Sequence, residues 1–392
     1  MEIEIPLSKD KIAIVVVGYN RLYSIKRLLE SLLEAKYPAK QVPLVISIDS
    51  SGDEQLYKYV RGFNWPFGEK YVNIQKNRLG LKKHIFQCGD LTHHFKAIVL
   101  LEDDLFVSPF FYEYVEKTVE VYGEEDAIAE ISLYKNESNG YAGLPFQNIQ
   151  DGNDVFLMQD VSTWGQCWTQ QMWDKFVAWR DSHSEEDIQN VDMPERIKNW
   201  ERAWSKYYNA YVVDTGRHVL YPNISLTTNF SDAGEHGGAQ NCVVQVSLLS
   251  GEKSYFLRKV SELSIYDIYG NNEKVPQWIG LDREDLCVDL YGIHDNPGKR
   301  YLLSTRVYPY SLKDSFALNM RPIELNVKNR IKGKDIFLYD TESVLHPSRS
   351  KESQLNSNVF QYYLKDISER YILRYSFDLL KKIIKRKLKF TK

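Results

Sequence analysis

Short apolar runs alternate with helical patterns along the first hundred residues. Residues 12–17 and 97–101 are continuous aliphatic runs, as expected for parallel strands that are covered on both faces. Two shorter strands are predicted over residues 44–48 and 71–74. The clearest helical spacing of apolar positions is at Ile25, Leu28, Leu29, Leu32 and Leu33. This alternation predicts an α/β fold whose sheet is mostly parallel and carries helices on both faces.

The α/β pattern continues to about residue 250 and then changes. Residues 182–192 are acidic and are predicted to form a loop. Further strands are predicted over residues 127–133, 155–159 and 218–221. Three helices are also predicted: one begins after Pro109, one follows residue 168 and runs through Trp179, and one covers residues 194–211. Short alternating strands are predicted beyond residue 250, over residues 263–269, 286–291, 301–307, 315–327 and 336–339. We therefore predict an α/β domain over residues 1–250 and a β-rich accessory module over 251–350.

Residues 351–392 are predicted to form a helical basic tail. Apolar residues recur there at helical spacing, at Leu373, Phe377, Leu380, Ile384 and Leu388. Basic residues cluster around them, which is typical of an amphipathic helix that lies on an anionic membrane surface. A solvated tail is the alternative. Binding to nucleic acid is not expected, because the rest of the chain shows no interleaving of aromatic and basic residues.

The charge of the chain supports this division. The 392 residues carry a formal net charge of only -3. The last 25 residues hold nine Lys or Arg against Glu369 and Asp378, which leaves a net charge of -10 on the other 367 residues. With 43% apolar residues the chain is not a disordered protein.

The cysteines and the N-terminus indicate where the protein works. The four cysteines lie far apart with no CxxC pair, as is usual for reduced thiols. The chain shows neither a secretory leader pattern nor a run of 18 apolar residues. We expect a cytoplasmic protein, with the tail holding it peripherally at the inner face of the plasma membrane.

An acidic triplet, Glu102, Asp103 and Asp104, directly follows the strand over residues 97–101. A chain of this composition contains about one acidic triplet by chance, so only its position is informative. Carboxylates between two apolar runs need a cation or a hydrogen-bond network. Oxygen ligands suit Mg²⁺ or Mn²⁺, which usually share their shell with phosphate oxygens. The alternative is a structural cluster that caps helices.

Five motifs in order resemble those of GT-A fold glycosyltransferases, in particular the bacterial family 2 enzymes and the inverting N-acetylglucosaminyltransferase that initiates complex N-glycans. The resemblance covers about residues 11–242 and does not include the β-rich module. The motifs are VVVGYNR at residues 15–21, IDSSGD at 48–53, LEDDL at 101–105, GQCW at 165–168 and EHG at 235–237.

The resemblance implies a GT-A, Rossmann-like catalytic domain and a set of donor-site residues. Asp104 would bind the metal, Mn²⁺ or Mg²⁺, and Asp103 would contact the ribose or the donor sugar. Arg21 and Asp49 would hold the uridine. The remaining residues implied at the donor are Gly18, Asn20, Glu102, Trp168 and His236.

Trp168 and His236 each have a simpler alternative. Trp168 is predicted to stack on a sugar, with Trp164 in the core, although both tryptophans also fit a core cluster with Trp173 and Phe176. A lone His in a Gly-rich loop is ordinarily a surface residue. The resemblance instead implies that His236 contacts the metal or the diphosphate.

The general base of an inverting transferase is expected to be Glu201. Trp200 and Trp204 flank it in an element that resembles the Trp-Asp-x-x-Trp motif of related bacterial enzymes, with Glu in place of Asp. A gapless alignment places Ser205 there instead, and Asp214 is a weaker candidate. The other interpretation is an exposed helical Glu paired with Lys198 or Arg202.

The resemblance implies a metal-dependent, inverting hexosyl- or N-acetylhexosaminyltransferase. Its donor would be a nucleotide-sugar, most simply UDP-linked, and its acceptor a saccharide or a lipid-linked saccharide in surface-polysaccharide or glycan biosynthesis. Alternatives are a sugar nucleotidyltransferase and a non-catalytic carbohydrate-binding or assembly protein with a degenerate site. A sugar nucleotidyltransferase would have a Gly-rich phosphate loop after the first strand, whereas VGYN at residues 17–20 has one Gly. A glycoside hydrolase is a further alternative, and it would need two opposed carboxylates and no metal.

Overall fold

The computed structural model describes residues 4–38, 41–201, 203–234, 244–294, 298–344, 354–355 and 357–389. The chain forms two compact units. The first comprises residues 1–141 and 146–274, and the second comprises 142–145 and 275–392. The predicted α/β domain ended at residue 250, whereas the first unit extends to Lys274.

The first unit is built on a nine-stranded sheet with strand order β13-β9-β11-β6-β10-β4-β1-β2-β3. Its strands are β1 (Ser8–Gly18), β2 (Leu44–Ile48), β3 (Lys70–Ile74), β4 (Phe95–Glu102), β6 (Ile128–Ser132), β9 (Val155–Met158), β10 (Gln166–Thr169), β11 (His218–Pro222) and β13 (Ile265–Tyr266). Outside this sheet, β5 (Leu105–Val107) pairs with β12 (Thr227–Asn229), and β7 is Ser138–Asn139.

Helices flank this sheet. They are α1 (Leu22–Leu33), α2 (Glu54–Gly62), α3 (Leu81–Gly89), α4 (Phe111–Tyr122), α5 (Gln170–Ser182), α6 (Glu185–Asn190), α7 (Glu195–Lys198) and α8 (Ser205–Asp214). Strands β1 to β4 are all parallel, and β10 inserts antiparallel between β4 and β6. Both faces of β1 are buried, since Ala13 and Val15 have no more exposed surface than Ile14 and Val16. The predicted α/β fold is confirmed.

The acidic stretch at residues 182–192 was wrongly predicted as a loop. It contains α6, which begins with a capping box. The Ser184 hydroxyl accepts from the Asp187 amide, and the Asp187 carboxylate accepts from the Ser184 amide. Glu185 and Glu186 add negative charge at the helix N-terminus, where it is stabilising.

The single helix predicted over residues 194–211 is also wrong, because the segment forms two helices, α7 and α8. In one continuous helix Trp200 and Trp204 would lie on the same face. Only Trp204 is buried, where its ring lies 5.9 Å from Trp168, while Trp200 stays partly exposed. The break lets Trp204 enter the core without Trp200.

The second unit contains a four-stranded sheet in the order β14-β15-β18-β17. The strands of this unit, inside and outside that sheet, are β8 (Leu144–Pro145), β14 (Leu286–Asp289), β15 (Tyr301–Ser304), β16 (Arg306–Val307), β17 (Tyr310–Phe316), β18 (Ile336–Val344) and β19 (Gln354–Leu355). The helices of the unit are α9 (Val275–Ile279), α10 (Glu324–Lys328), α11 (Ser357–Leu364) and α12 (Glu369–Lys389). The β-rich character of this region is confirmed.

Two predicted strands beyond residue 250 differ from the structure. The strand predicted over residues 263–269 is only β13, and it joins the sheet of the first unit. Most of the strand predicted over 315–327 is replaced by α10 and the turn before it. Pro322 fits the start of a helix, where no amide donor is required, and its carbonyl accepts from the Leu325 amide.

The predicted tail helix is present as α12, which is 21 residues long. Among the described residues, no helix combines the length and the apolar character that a bilayer crossing requires.

Candidate active site

The motifs at residues 15–21, 48–53 and 101–105 meet at one edge of the first unit's sheet. Strands β1, β2, β3 and β4 run in the same direction, so their carboxyl ends lie side by side. Gly18 pairs with Ile48, and Val17 pairs with Glu102. The residues that follow these strands are therefore neighbours in space, at the edge where open α/β sheets bind ligands.

The Arg21 side chain lies against the acidic triplet and bridges Asp103 and Asp104. Its guanidinium donates to both carboxylate oxygens of Asp103 and, over 3.1 Å, to Oδ2 of Asp104. It also donates to the Asp232 carbonyl over 3.2 Å. The Arg21 side chain is only 21% exposed and Asp103 is buried. The guanidinium is thus committed to the carboxylates, and the predicted contact of Arg21 with uridine stays a prediction.

Burial and mutual repulsion raise the pKa values of two acids of the triplet. Burial raises the pKa of Glu102 to about 8, and Asp104 and Asp103 add to the rise. Burial also raises the pKa of Asp103 to about 6, although Arg21 opposes the change. Burial would lower the pKa of Arg21, but Asp103 and Asp104 outweigh it and raise that pKa above its usual range. Glu102 and Asp103 therefore hold a proton more readily than ordinary carboxyl groups do.

Asp104 retains one carboxylate oxygen that could serve a cation. Its Oδ1 is buried and makes no hydrogen bond to any residue in the described part of the chain. An unpartnered buried carboxylate oxygen is costly unless a ligand engages it. Residues 235–243 lie outside the described part of the chain. Within the described part, no group of three or more His, Cys, Asp or Glu side chains is arranged to hold a metal ion. The residues therefore fit an ion that takes one protein oxygen and completes its shell with phosphate oxygens.

Asp49 organises the turn that begins α3. Its Oδ1 accepts from the Ser50 and Leu79 amides, each over 2.8 Å, and its Oδ2 accepts from the Gly80 amide over 2.9 Å. These bonds tie the end of β2 to the start of α3. The contact of Asp49 with uridine stays a prediction.

His84, four residues after Gly80, is a core residue. It is buried and shares a 2.7 Å hydrogen bond with the Ser47 hydroxyl. Burial lowers its pKa to about 4, so His84 is neutral at pH 7 and offers no positive charge to a phosphate.

Gly18 has a packing role at the end of β1. A β-carbon there would lie 3.1 Å from Cδ1 of Ile48 and 3.2 Å from Cδ1 of Ile25. Next along the chain, Tyr19 lies under the guanidinium of Arg78 at 4.8 Å, and Asn20 is exposed. Tyr19 is half-buried and Arg78 is exposed, and neither was predicted as a site residue.

Phe230 and Asp232, which precede His236, were not singled out from the sequence as residues of this site. The Asp232 carboxylate accepts from the Ser24 hydroxyl over 2.7 Å and pairs with Arg27, whose guanidinium lies 3.8 Å from the Phe230 ring centre. A β-carbon on Gly234 would lie 3.2 Å from Nη1 of Arg21. This segment is thus fastened to α1 and to Arg21. His236 follows two residues later and lies outside the described residues.

The structure places Trp168 in the core, and it leaves Trp164 partly exposed while packed against the core. Trp168 has no exposed surface, packs 4.9 Å from Trp173 and donates to Glu130 over 3.0 Å. It cannot present a face to a sugar, so its predicted donor contact is wrong. Trp164 is partly exposed and borders the triplet, since the neighbouring Thr163 hydroxyl donates to Glu102.

Glu201 lies between α7 and α8 and is exposed. Lys198, its suggested partner, pairs with Glu195 at 3.4 Å instead. Glu201 makes no hydrogen bond or ion pair with any residue that the structure describes, a set that excludes Arg202. Its carboxylate is accessible, and its assignment as the base stays a prediction. Asp214, the weaker candidate, accepts from Trp179 over 2.8 Å at the far end of α8.

Comparison with curated proteins finds one relative in plants. The chain is 22% identical over 249 residues to "Alpha-1,3-mannosyl-glycoprotein 2-beta-N-acetylglucosaminyltransferase" of Arabidopsis thaliana. The match covers 58% of this chain and 48% of that protein, so the chain spans about half the length of its curated relative. No protein-family model matches the chain. The relative is a glycosyltransferase by name, which confirms the resemblance predicted from the motifs.

Solved structures with a similar arrangement are distant. S. aureus TarS in complex with UDP-GlcNAc has a TM-score of 0.35 at 14% identity, covering 58% of this chain and 60% of that chain. GalNAc-T7 with UDP, GalNAc and Mn²⁺ has a TM-score of 0.39 at 11% identity, covering 56% and 43%. The mannosyltransferase PcManGT of Pyrobaculum calidifontis with GDP-Man and Mn²⁺ has a TM-score of 0.32 at 10% identity, covering 49% and 56%. At this distance the ligands of this chain must be argued from its own residues.

Proposed function

We propose that the protein is a metal-dependent, inverting glycosyltransferase that uses a nucleotide-sugar, UDP-linked in the simplest case. The acceptor would be a saccharide or a lipid-linked saccharide in surface-polysaccharide or glycan biosynthesis. The observation that carries the proposal is the unpartnered Asp104 Oδ1, buried beside Asp103 and Arg21 at the carboxyl edge of the parallel strands. A single available carboxylate oxygen next to a fixed guanidinium suits a metal-bound diphosphate.

The residues of this site would act on the donor in different ways. Asp104 would hold Mn²⁺ or Mg²⁺, which when bound neutralises the negative charge that develops on the diphosphate leaving group. Arg21 keeps Asp103 and Asp104 fixed and supplies a positive charge at the same edge. Asp49 would position the nucleoside through the turn that it orders. Buried acids held by a guanidinium in this way are preorganised before the donor arrives.

Glu201 is proposed as the general base. A single-displacement reaction needs one carboxylate to accept the proton of the acceptor hydroxyl as its oxygen attacks the anomeric carbon. Glu201 is exposed and has no partner among the described residues, so its carboxylate is free to accept a proton from an acceptor. The sugar–phosphate bond breaks as the new glycosidic bond forms, and the configuration inverts.

His236 is proposed to approach the diphosphate. The segment before it is fastened next to the triplet, since Asp232 binds Arg27 and the Asp232 carbonyl accepts from Arg21. Only Glu235 separates Gly234, which packs near Arg21, from His236 in the sequence. This short spacing from a segment held beside the triplet supports the proposed approach of His236 to the diphosphate.

A cytoplasmic site of action is also proposed. Cys88, Cys167 and Cys287 are buried free thiols. Reduced thiols in the core are typical of proteins that work in the cytoplasm.

The activity is tested by a donor screen. The purified chain is incubated with nucleotide-sugars, Mn²⁺ and saccharide acceptors, and the released nucleoside diphosphate is measured. We expect release with at least one donor, and a loss of about 100-fold or more in Asp104→Ala. Asp181→Ala, an exposed carboxylate on α5, is the matched control and should retain the rate. No turnover with any donor, or full activity in Asp104→Ala, would contradict the proposal.

The same screen separates the alternatives. Release of pyrophosphate from a nucleoside triphosphate and a sugar phosphate would instead assign a nucleotidyltransferase. For the base, Glu201→Gln should lower the transfer rate by about 100-fold or more without weakening donor binding. Glu195→Gln, on the adjacent α7, is the control. An unchanged rate in Glu201→Gln would move the role of base to another residue.

A further inference from the structure

We propose that α12 binds flat on the surface of a bilayer that contains anionic phospholipids, through its apolar face. This inference goes beyond the proposed transfer reaction and does not depend on it. It rests on the exposure, the angular distribution and the charge of the residues on this helix of the second unit.

The apolar residues of α12 are exposed rather than packed. Leu373 is 72% exposed, Phe377 60%, Leu380 53% and Ile384 49%. Leu379 and Ile383, at 43% each, extend the same surface. A soluble protein rarely exposes such a continuous apolar face unless something covers it.

The helical period gathers these residues on one side. At about 100° per residue, these six Leu, Ile and Phe residues fall within about half of the helix circumference, whereas the exposed Tyr371 and Tyr375 lie on the other half. Arg374, Asp378 and Lys382 fall on the opposite half, and Lys381 lies at the border, where its ammonium group is 4.3 Å from the Phe377 ring centre. A charge at the border can stay in water while its hydrocarbon stem covers the apolar face.

The charge of the helix identifies the partner. The described side chains of α12 include four basic and two acidic residues. The sequence of the last helical turns adds four more basic residues, Lys385, Arg386, Lys387 and Lys389. An apolar face bordered by basic residues suits an anionic lipid surface, which binds the face through its acyl chains and the basic residues through its head groups.

A second copy of the chain fits this helix less well. The residues spaced as a coiled-coil seam are Leu373, Phe377, Leu380 and Ile384, and the next seam position is Lys387. This seam spans less than two heptads, whereas stable coiled coils need about three or more. Two copies would also bring basic residues of the same sign together.

The test is sedimentation of the full chain with vesicles. We expect binding to vesicles of phosphatidylcholine and phosphatidylglycerol, weak binding to phosphatidylcholine alone, and weakening by salt. The double variant Arg370→Glu/Lys381→Glu, which reverses two exposed charges beside the apolar face, should lower the partition coefficient by about tenfold or more. Lys58→Glu/Arg61→Glu, two exposed basic residues on α2, is the matched control and should bind as the wild type does.

A second pair of variants tests the apolar face. Phe377→Ser/Leu380→Ser should lose binding, whereas Phe256→Ser, which is 52% exposed in the first unit, should not. Circular dichroism and thermal unfolding establish that each variant is folded. Equal binding by wild type and both α12 variants would overturn the proposal. So would lipid-independent dimerisation abolished by Phe377→Ser/Leu380→Ser. Since vesicle binding needs no turnover, a failed donor screen would leave this result intact.

Discussion

Glu130 should make the stability of the protein fall as the pH rises. It lies on β6 with no exposed surface, where its Oε2 accepts from Gln166 over 2.6 Å and from Trp168 over 3.0 Å. Its Oε1 has no hydrogen-bond partner in the described part of the chain. Burial raises the pKa of Glu130 from 4.5 to about 8. The folded protein therefore keeps Glu130 protonated at pH 7, while the unfolded chain ionises it.

The size of the effect follows from the two pKa values. One pKa unit corresponds to about 1.4 kcal/mol, so the difference between 4.5 and about 8 amounts to at most about 5 kcal/mol of unfolding free energy. Because the folded pKa is raised, this contribution is fully present below pH 4.5. It declines as the pH rises and is lost above about pH 8. Glu130→Gln cannot ionise and should lack this dependence.

The assay is denaturant unfolding of wild type and Glu130→Gln at several pH values from 5 to 9. Other acids titrate in both proteins, so the difference between the two curves isolates Glu130. We expect the variant to gain stability relative to wild type as the pH rises. Glu120→Gln, an exposed residue on α4, should follow the wild-type curve. Parallel curves for wild type and Glu130→Gln would refute the reasoning.

Three further substitutions test the packing around the site, each by thermal and denaturant unfolding. Gly18→Ala should cost about 1–3 kcal/mol, because its β-carbon would crowd Ile48; an unchanged stability would contradict this. Trp168→Ala should cost about 3–5 kcal/mol while the folded variant keeps its donor affinity, whereas a selective loss of affinity would restore its donor role. Asp232→Ala should cost about 1.5–3 kcal/mol by freeing Arg27, and no change would show the pair to be energetically neutral.

The strands were predictable because their pattern is strong and local. The runs at residues 12–17 and 97–101 lie within β1 and β4, and the prediction for β2 matches the structure at both ends. Parallel strands buried on both faces leave continuous aliphatic runs in the sequence. The order of the motifs then placed Gly18, Asp49 and the triplet at one edge.

The features that the sequence did not predict depend on distant partners. Arg21 meets Asp103 across 82 residues of chain, and no local pattern signals that contact. Asp232 reaches Ser24 across 208 residues. The acidic run at α6 did contain a signal that was overlooked, since Ser184 followed three residues later by Asp187 is the spacing of a capping box.

The tryptophan assignments show why strand register matters. Trp164 and Trp168 lie four residues apart around Gly165 and are equivalent as sugar-stacking candidates by composition. Gln166 pairs with Leu100, so β10 carries Trp168 away from the edge between two buried strands. Trp164 precedes β10 and lies at the edge of the sheet, next to Thr163, which binds Glu102. Only the pairing of β10 with β4 distinguishes them.

The central claim is that a donor diphosphate and a divalent ion bind together at Asp104. Calorimetric titration of the full chain with UDP, with Mn²⁺ or with EDTA, tests it most directly, in wild type, Asp104→Asn and the control Asp181→Asn. We predict that Mn²⁺ tightens UDP binding by about tenfold or more in wild type and the control, but not in Asp104→Asn. Equal affinity for UDP with Mn²⁺ and with EDTA, or an undiminished effect of Mn²⁺ in Asp104→Asn, would contradict the account.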